Sequence, residues 1–127
     1  MDEREFVKSG NSPAAIGPYS QGIKARGFVY TSGILPLDIQ SGEVVSGGIE
    51  AETRKTIENL KAVLEEGGAS LATVVKTTVF MTNMEDFGMM NRIYNEYFKE
   101  ILPARATVEV SALAKGAQVE IEAVALA

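Results

Sequence analysis

Two charged residues near the end of the chain sit where chemistry is possible. Arg105 follows Pro103-Ala104, and Glu120 lies between Val119 and Ile121 in a strongly apolar stretch. Arg105 is the only Arg after Arg92. A guanidinium is permanently charged and presents a planar fork of donors, which suits bidentate binding of a carboxylate. A carboxylate in an apolar strand is either a solvated strand face, with Glu120 and Glu122 alternating outward, or a base made reactive by its surroundings. Arg105 likewise has two readings, a structural ion pair or a ligand anchor.

Composition limits what that chemistry can be. The chain has 127 residues, 46% of them hydrophobic and 23% charged, which fits one globular domain over 1–127. It has no Cys and no His. Thiolate catalysis, disulfides, Ser-His nucleophile systems and the commonest zinc ligand are therefore absent. Acid–base work falls to Asp, Glu, Lys, Tyr or ordered water. A net charge of −5 argues against general nucleic-acid binding, which needs a basic footprint. No apolar run reaches the roughly 20 residues that span a bilayer, and the opening residues lack the order of a signal peptide. The expectation is a soluble, cytoplasmic protein without a membrane partner.

The elements that must position Arg105 and Glu120 follow from periodicity and punctuation. Residues 5–8 read as a short strand and 9–13 as a loop. Two Gly and one Pro surround Tyr19 in residues 16–22, so the loop holds that ring at a defined place, as core packing or as a pocket wall. Residues 23–25 and 28–31 read as a hairpin across Arg26-Gly27. Ser32-Gly33 follows, and Gly33 permits close backbone approach, so its N–H can face a ligand.

A helix of about twenty residues is expected after Ser46-Gly47-Gly48, with Glu50 and Glu52 in the first turn where the dipole favours acid. Ile57, Leu60, Val63 and Leu64 form its apolar stripe. Residues 75–82 alternate as a long strand. Asn83 caps a second helix whose stripe is Phe87, Met90, Tyr94, Tyr97, Phe98 and Ile101, ending at Pro103. Asn91 lies beside that stripe. Two last strands, 105–111 and 118–126, are expected to form a hairpin turning near Lys115. Arg105 would then lie opposite residues near 125, about 16 Å along the sheet from Glu120. The two helices can cover one face of one sheet. The other face, with Phe80, Val124 and Leu126, remains bare and implies self-association.

Several segments together carry a resemblance. Residues 14–21 (Ala-Ala-Ile-Gly-Pro-Tyr-Ser-Gln), Thr31-Ser32-Gly33, Val75-Lys76-Thr77-Thr78-Val79-Phe80, Pro103-Ala104-Arg105 and Val119-Glu120-Ile121-Glu122-Ala123 resemble the RidA (reactive intermediate deaminase) family, from about Ser12 to Leu126. The resemblance implies a chorismate-mutase-like α+β fold, a single sheet with two helices packed on one face. It implies a homotrimer with sites between subunits. It implies hydrolysis of 2-imino acids, such as 2-iminopropanoate and 2-iminobutanoate, to 2-oxo acids and ammonia, with no metal or cofactor.

By the same resemblance Arg105 binds the substrate carboxylate and Glu120 activates the attacking water. Tyr19 and Asn91 line the pocket, and groups around Ser32, Gly33 and Thr107 support the substrate. Two positions depart from the family pattern. Thr107 stands where several relatives carry Cys, and Ile34 where Gln is frequent. The first removes no nucleophile that the chemistry needs; the second puts pocket shape and substrate preference in question. Three other functions stay open: a non-catalytic sensor of small carboxylates, an endoribonuclease or translation inhibitor as in some relatives, and a chaperone-like role.

Overall fold

The computed structural model describes residues 3–127. Strands β1 (Arg4–Val7), β2 (Gly22–Ala25) and β3 (Phe28–Thr31) come first. Helix α1 (Gly48–Glu66), strand β4 (Val74–Met81) and helix α2 (Phe87–Tyr97) follow, and β5 (Ala104–Glu109) and β6 (Val119–Leu126) close the chain. All six strands form one sheet in the order β1-β2-β3-β6-β4-β5. The hairpin β2–β3 turns on Arg26 and Gly27, both at positive φ (52° and 81°). Two such residues match the twist of the flanking strands in a two-residue loop.

Both helices pack on one sheet face, as the apolar periodicity requires. Ile57, Leu60, Val63 and Leu64 of α1 and Met90 and Tyr94 of α2 share one core cluster with Val29, Val79, Met81, Val119, Ile121 and Ala125 from the strands. The opposite face carries Phe6, Tyr30, Val108 and Leu126, all exposed. This is the α+β arrangement expected from the sequence, bare face included.

Three expectations fail, each for a physical reason. The last two strands are not a hairpin. β6 inserts between β3 and β4 and runs antiparallel to both, while β5 lies at the sheet edge, parallel to β4. The burial of the two strands explains the choice. Val119, Ile121, Ala123 and Ala125 are all buried, which demands a central strand, whereas β5 has no buried residue and tolerates an edge. Next, α2 ends at Tyr97, well before Pro103. The crossover from β4 through α2 to a parallel β5 consumes residues 98–103 in reversing the chain. Phe98 stays buried, but Ile101, expected in the core stripe, is 85% exposed. Finally, Glu52 is only 4% exposed. Its carboxylate oxygens accept the Gln118 N–H at 2.7 Å and the Gln118 side-chain amide at 2.9 Å. It ties α1 to the entry of β6, which the helix dipole alone does not suggest.

Candidate functional site

The candidate residues fall into two groups. The first gathers at Glu120. In β6, Val119 and Ile121 point to the helices, so Glu120 points to the uncovered face. The segment after β3 runs beside it. The Ile34 N–H donates to the Ile121 carbonyl at 2.8 Å, and the Ile121 N–H returns the bond at 3.1 Å. This pairing lays Gly33 under the carboxyl group. A Cβ at position 33 would stand 2.7 Å from Glu120 Cδ, so only glycine lets the two approach. Burial raises the Glu120 pKa above the usual carboxylate value, and the nearby Glu122 charge adds to the rise.

Tyr19 shares a small cleft with Gly33, Ile34, Leu35 and Ile16. Its hydroxyl accepts the Ile16 N–H at 3.1 Å, and its ring is partly exposed, so it walls the cleft rather than the core. Ile34, one of the two departures from the family pattern, is buried and belongs to the core cluster, while it also borders this cleft. Ser32 does not offer its side chain outward. Its Oγ donates to the Ser20 carbonyl at 2.6 Å, and its N–H donates to the Gln21 carbonyl. Ser32 therefore holds the Tyr19 loop against the strand, and its backbone leads into Gly33.

Two residues outside the sequence-based set build this region. Buried Gln21 accepts the Ser9 N–H at 2.6 Å and donates to the Pro13 carbonyl at 2.7 Å, with longer contacts to the Ser9 and Ser12 carbonyls. It staples the loop that carries Tyr19. Asn59 of α1 donates to the Leu35 and Leu37 carbonyls, both at 3.0 Å, and fixes the segment after Gly33. A buried Asn in an apolar helix stripe is the signal that finds it, because a buried amide must find partners.

The second group gathers at Arg105. Arg105 lies opposite Thr77 in the parallel β4–β5 register, and Thr77 is fully buried on the helix side. The Arg105 side chain therefore points to the helix face. Its guanidinium carbon stands 4.8 Å from the Tyr94 ring centroid and 5.7 Å from that of Phe87. Among the described residues no carboxylate forms an ion pair with it. Arg105 borders an open depression with Asn91, Tyr94, Leu102 and Pro103. Thr107, opposite Val79, shares the orientation of Arg105, and its hydroxyl is buried without a hydrogen-bond partner among the described residues.

The two groups do not meet in one chain. Glu120 lies opposite Phe80 of β4, and Phe80 faces the bare side; Arg105 lies opposite Thr77, which faces the helices. One strand separates them, and they project from opposite faces of the sheet. Three residues along the strand and two strand spacings place their backbones about 14 Å apart. The hairpin register expected from the sequence is wrong, yet its consequence survives in stronger form. A small molecule touching Glu120 cannot touch Arg105 of the same chain.

Comparison with known proteins bears on what such a chain is. The profile of the family described as endoribonuclease L-PSP matches residues 9–127. A RutC family protein of Pyrococcus abyssi is 48% identical over 122 residues, covering 96% of each chain. The mouse protein named 2-iminobutanoate/2-iminopropanoate deaminase is 45% identical, over 97% of this chain and 91% of its own. The crystal structure of E. coli TdcF with bound serine superposes with a TM-score of 0.92 at 35% identity, covering 97% of this chain and 98% of that one. A profile that matches nearly the whole chain, relatives near half identical from end to end, and a fold that superposes on solved relatives make this chain a member of the RidA (YjgF) family.

Proposed function

We propose that the chain hydrolyses small 2-imino acids to 2-oxo acids and ammonia, in sites completed between copies of a homotrimer. One observation carries the reading: the only unpaired, ring-held guanidinium and the only pKa-raised carboxyl group among the described residues lie on opposite faces of one sheet. Each is of little chemical use alone. Closing the bare face of one copy against the β5 edge of another would bring the two together.

In that arrangement Arg105 of one copy binds the substrate carboxylate through its fork. Glu120 of another copy takes a proton from water, which attacks the electrophilic C2 of the imine. The attack moves the C=N π electrons onto nitrogen and leaves a carbinolamine. Glu120 passes its proton to that nitrogen, the C2–N bond breaks to release ammonia, and the hydroxyl gives its proton back to Glu120 as the oxygen becomes the keto group. The water consumed balances the ammonia released. An iminium carbon is already electrophilic, so positioning and one base suffice. The raised pKa of Glu120 suits a base working near neutral pH better than an ordinary carboxylate would. The Thr107 hydroxyl would gain a partner in the bound carboxylate, with Asn91, Gly33 and Tyr19 forming the walls.

The mouse relative's name and the serine bound to E. coli TdcF support a small amino- or imino-acid ligand. The family description names RNA cleavage, but a chain with no His and a net charge of −5 has neither the usual base nor a phosphate footprint. The test mixes Arg105→Ala and Glu120→Gln chains after joint unfolding and refolding. If each site draws Arg105 and Glu120 from different copies of a closed ring, about a quarter of all sites in an equal random mixture are intact. Ammonia release from an imino acid generated in situ should then reappear. Sites contained in single chains would stay dead, and a monomer in light scattering would sink the proposal.

A further inference from the structure

Tyr94 reads in the sequence as one more aromatic residue of a core stripe. Its neighbours give it a second task. Its ring lies 4.8 Å from the Arg105 guanidinium carbon. Its hydroxyl is hydrogen-bonded to Thr77 Oγ1 at 2.8 Å. Thr77 is the residue directly opposite Arg105 in the β4–β5 register. Phe98 stacks on the ring at 4.4 Å between centroids, with the planes 29° apart. The ring is thus fixed at its hydroxyl end by β4 and on a face by Phe98, and the guanidinium rests against it.

We infer that Tyr94 is the positioning residue for the carboxylate fork, fixing the guanidinium plane of Arg105 while leaving most of its donors to the ligand. The inference rests on the reading of Arg105 as the carboxylate anchor. Five N–H donors lie in the guanidinium plane. A protein carboxylate that held Arg105 would take two of them and compete with the ligand. A ring attracts the cation through its π face, and even a phenol oxygen that accepts one N–H leaves the other donors to the ligand. Tying the hydroxyl to Thr77 keeps that face from turning away. Burial holds the Tyr94 phenol above its ordinary pKa, against the opposing pull of the Thr77 bond, the Arg105 charge and a hydrogen bond with Arg105, so the ring stays neutral.

A ring that merely fills the core and a ring that aims a fork differ in one measurable respect. Only the second distinguishes a carboxylate from an isosteric amide. The test titrates the full chain with pyruvate and with pyruvamide by ligand-observed NMR. Tyr94→Met keeps a flexible apolar side chain at the position and removes the ring. It should bind pyruvate about tenfold more weakly while pyruvamide binding barely moves. Tyr94→Phe keeps the ring and should retain most of the discrimination. An unchanged pyruvate-to-pyruvamide ratio in folded Tyr94→Met overturns the inference.

A measurement on the unaltered protein does not depend on that variant folding. The Arg105 Nε–H resonance should show a ring-current shift and restricted guanidinium rotation before any ligand is added. A guanidinium that rotates freely until pyruvate arrives overturns the inference too. Arg105→Ala separates the two readings. Undiminished pyruvate binding there removes the anchor itself, whereas lost binding beside unchanged discrimination in Tyr94→Met removes only the role of Tyr94.

Discussion

The two halves of the candidate site are built by different means. Around Glu120 it is main chain that is held. Paired bonds between Ile34 and Ile121, the Asn59 amide and the Glu52–Gln118 tie fix backbone segments, and the carboxyl group falls over a bare glycine. Around Arg105 side chains do the placing. An edge strand supplies the residue, and aromatic rings and one hydroxyl supply the order. A base must sit where its proton-transfer partner will be, and backbone ladders hold position well. A cation that grips a ligand needs its donors unoccupied, and ring faces allow that.

The contrast can be broken by experiment. The largest effect is expected at Glu120. Replacing it with Gln keeps the shape and removes the base, so kcat for imine hydrolysis should fall by about 10²–10⁴ while pyruvate binding stays near wild type. Equal loss in both would mean that the carboxylate holds ligand rather than water. Arg105→Ala should show the reverse division. Loss of a charge-assisted contact costs about 3 kcal/mol, or roughly a hundredfold in kcat/KM, with binding lost as well. Arg105→Lys should recover little, because a point charge does not copy the fork.

Smaller effects sharpen the comparison. Gly33→Ala puts a methyl group 2.7 Å from Glu120 Cδ, so the carboxyl group must shift. We expect a rate loss of about tenfold or more, in line with the sensitivity of catalysis to misplacement near 1 Å, and little change in melting temperature. A wild-type rate would show that the carboxyl group has room to spare. The smallest change is in pH dependence. Glu120 acts as a base only when deprotonated, so kcat/KM should rise with pH through its raised pKa. Glu122→Gln removes the lesser of the two causes and should move that acid limb to lower pH. The larger cause, burial, remains, so the limb should stay above the usual carboxylate value. An unmoved limb would assign the titration to another group.

Much of this was legible in residue types and spacing. Alternation in β4, the Arg26-Gly27 turn and the apolar stripe of α1 are local signals, whereas Asn83, expected to cap α2, accepts the Glu85 N–H at 2.9 Å and caps the single 3₁₀ turn Met84–Asp86 that precedes it. The candidates Arg105, Glu120 and Gly33 stood out for the same reason, as unusual types in defined contexts. What was not legible is long-range. Two strands joined by a short loop look like a hairpin, and nothing local says that β6 will enter the sheet between β3 and β4. Glu52 looked like any acid in a first helical turn because its partner lies 66 residues away. Tyr94 looked like core because its spacing is that of core, and only the strand opposite reveals Thr77 and Arg105.

Strand β4 runs between the two halves, and its Thr77 and Phe80 sides answer to different residues. This makes chain length, rather than side-chain chemistry, the property that β4 cannot vary. An insertion or deletion of one residue between Thr77 and Phe80 would turn every following side chain to the other face and put apolar core residues in water. The same change in residues 98–103, or in the loop before β6, would be absorbed at the surface. Families descended from such a chain should therefore differ in length at those two connections and agree to the residue across β4.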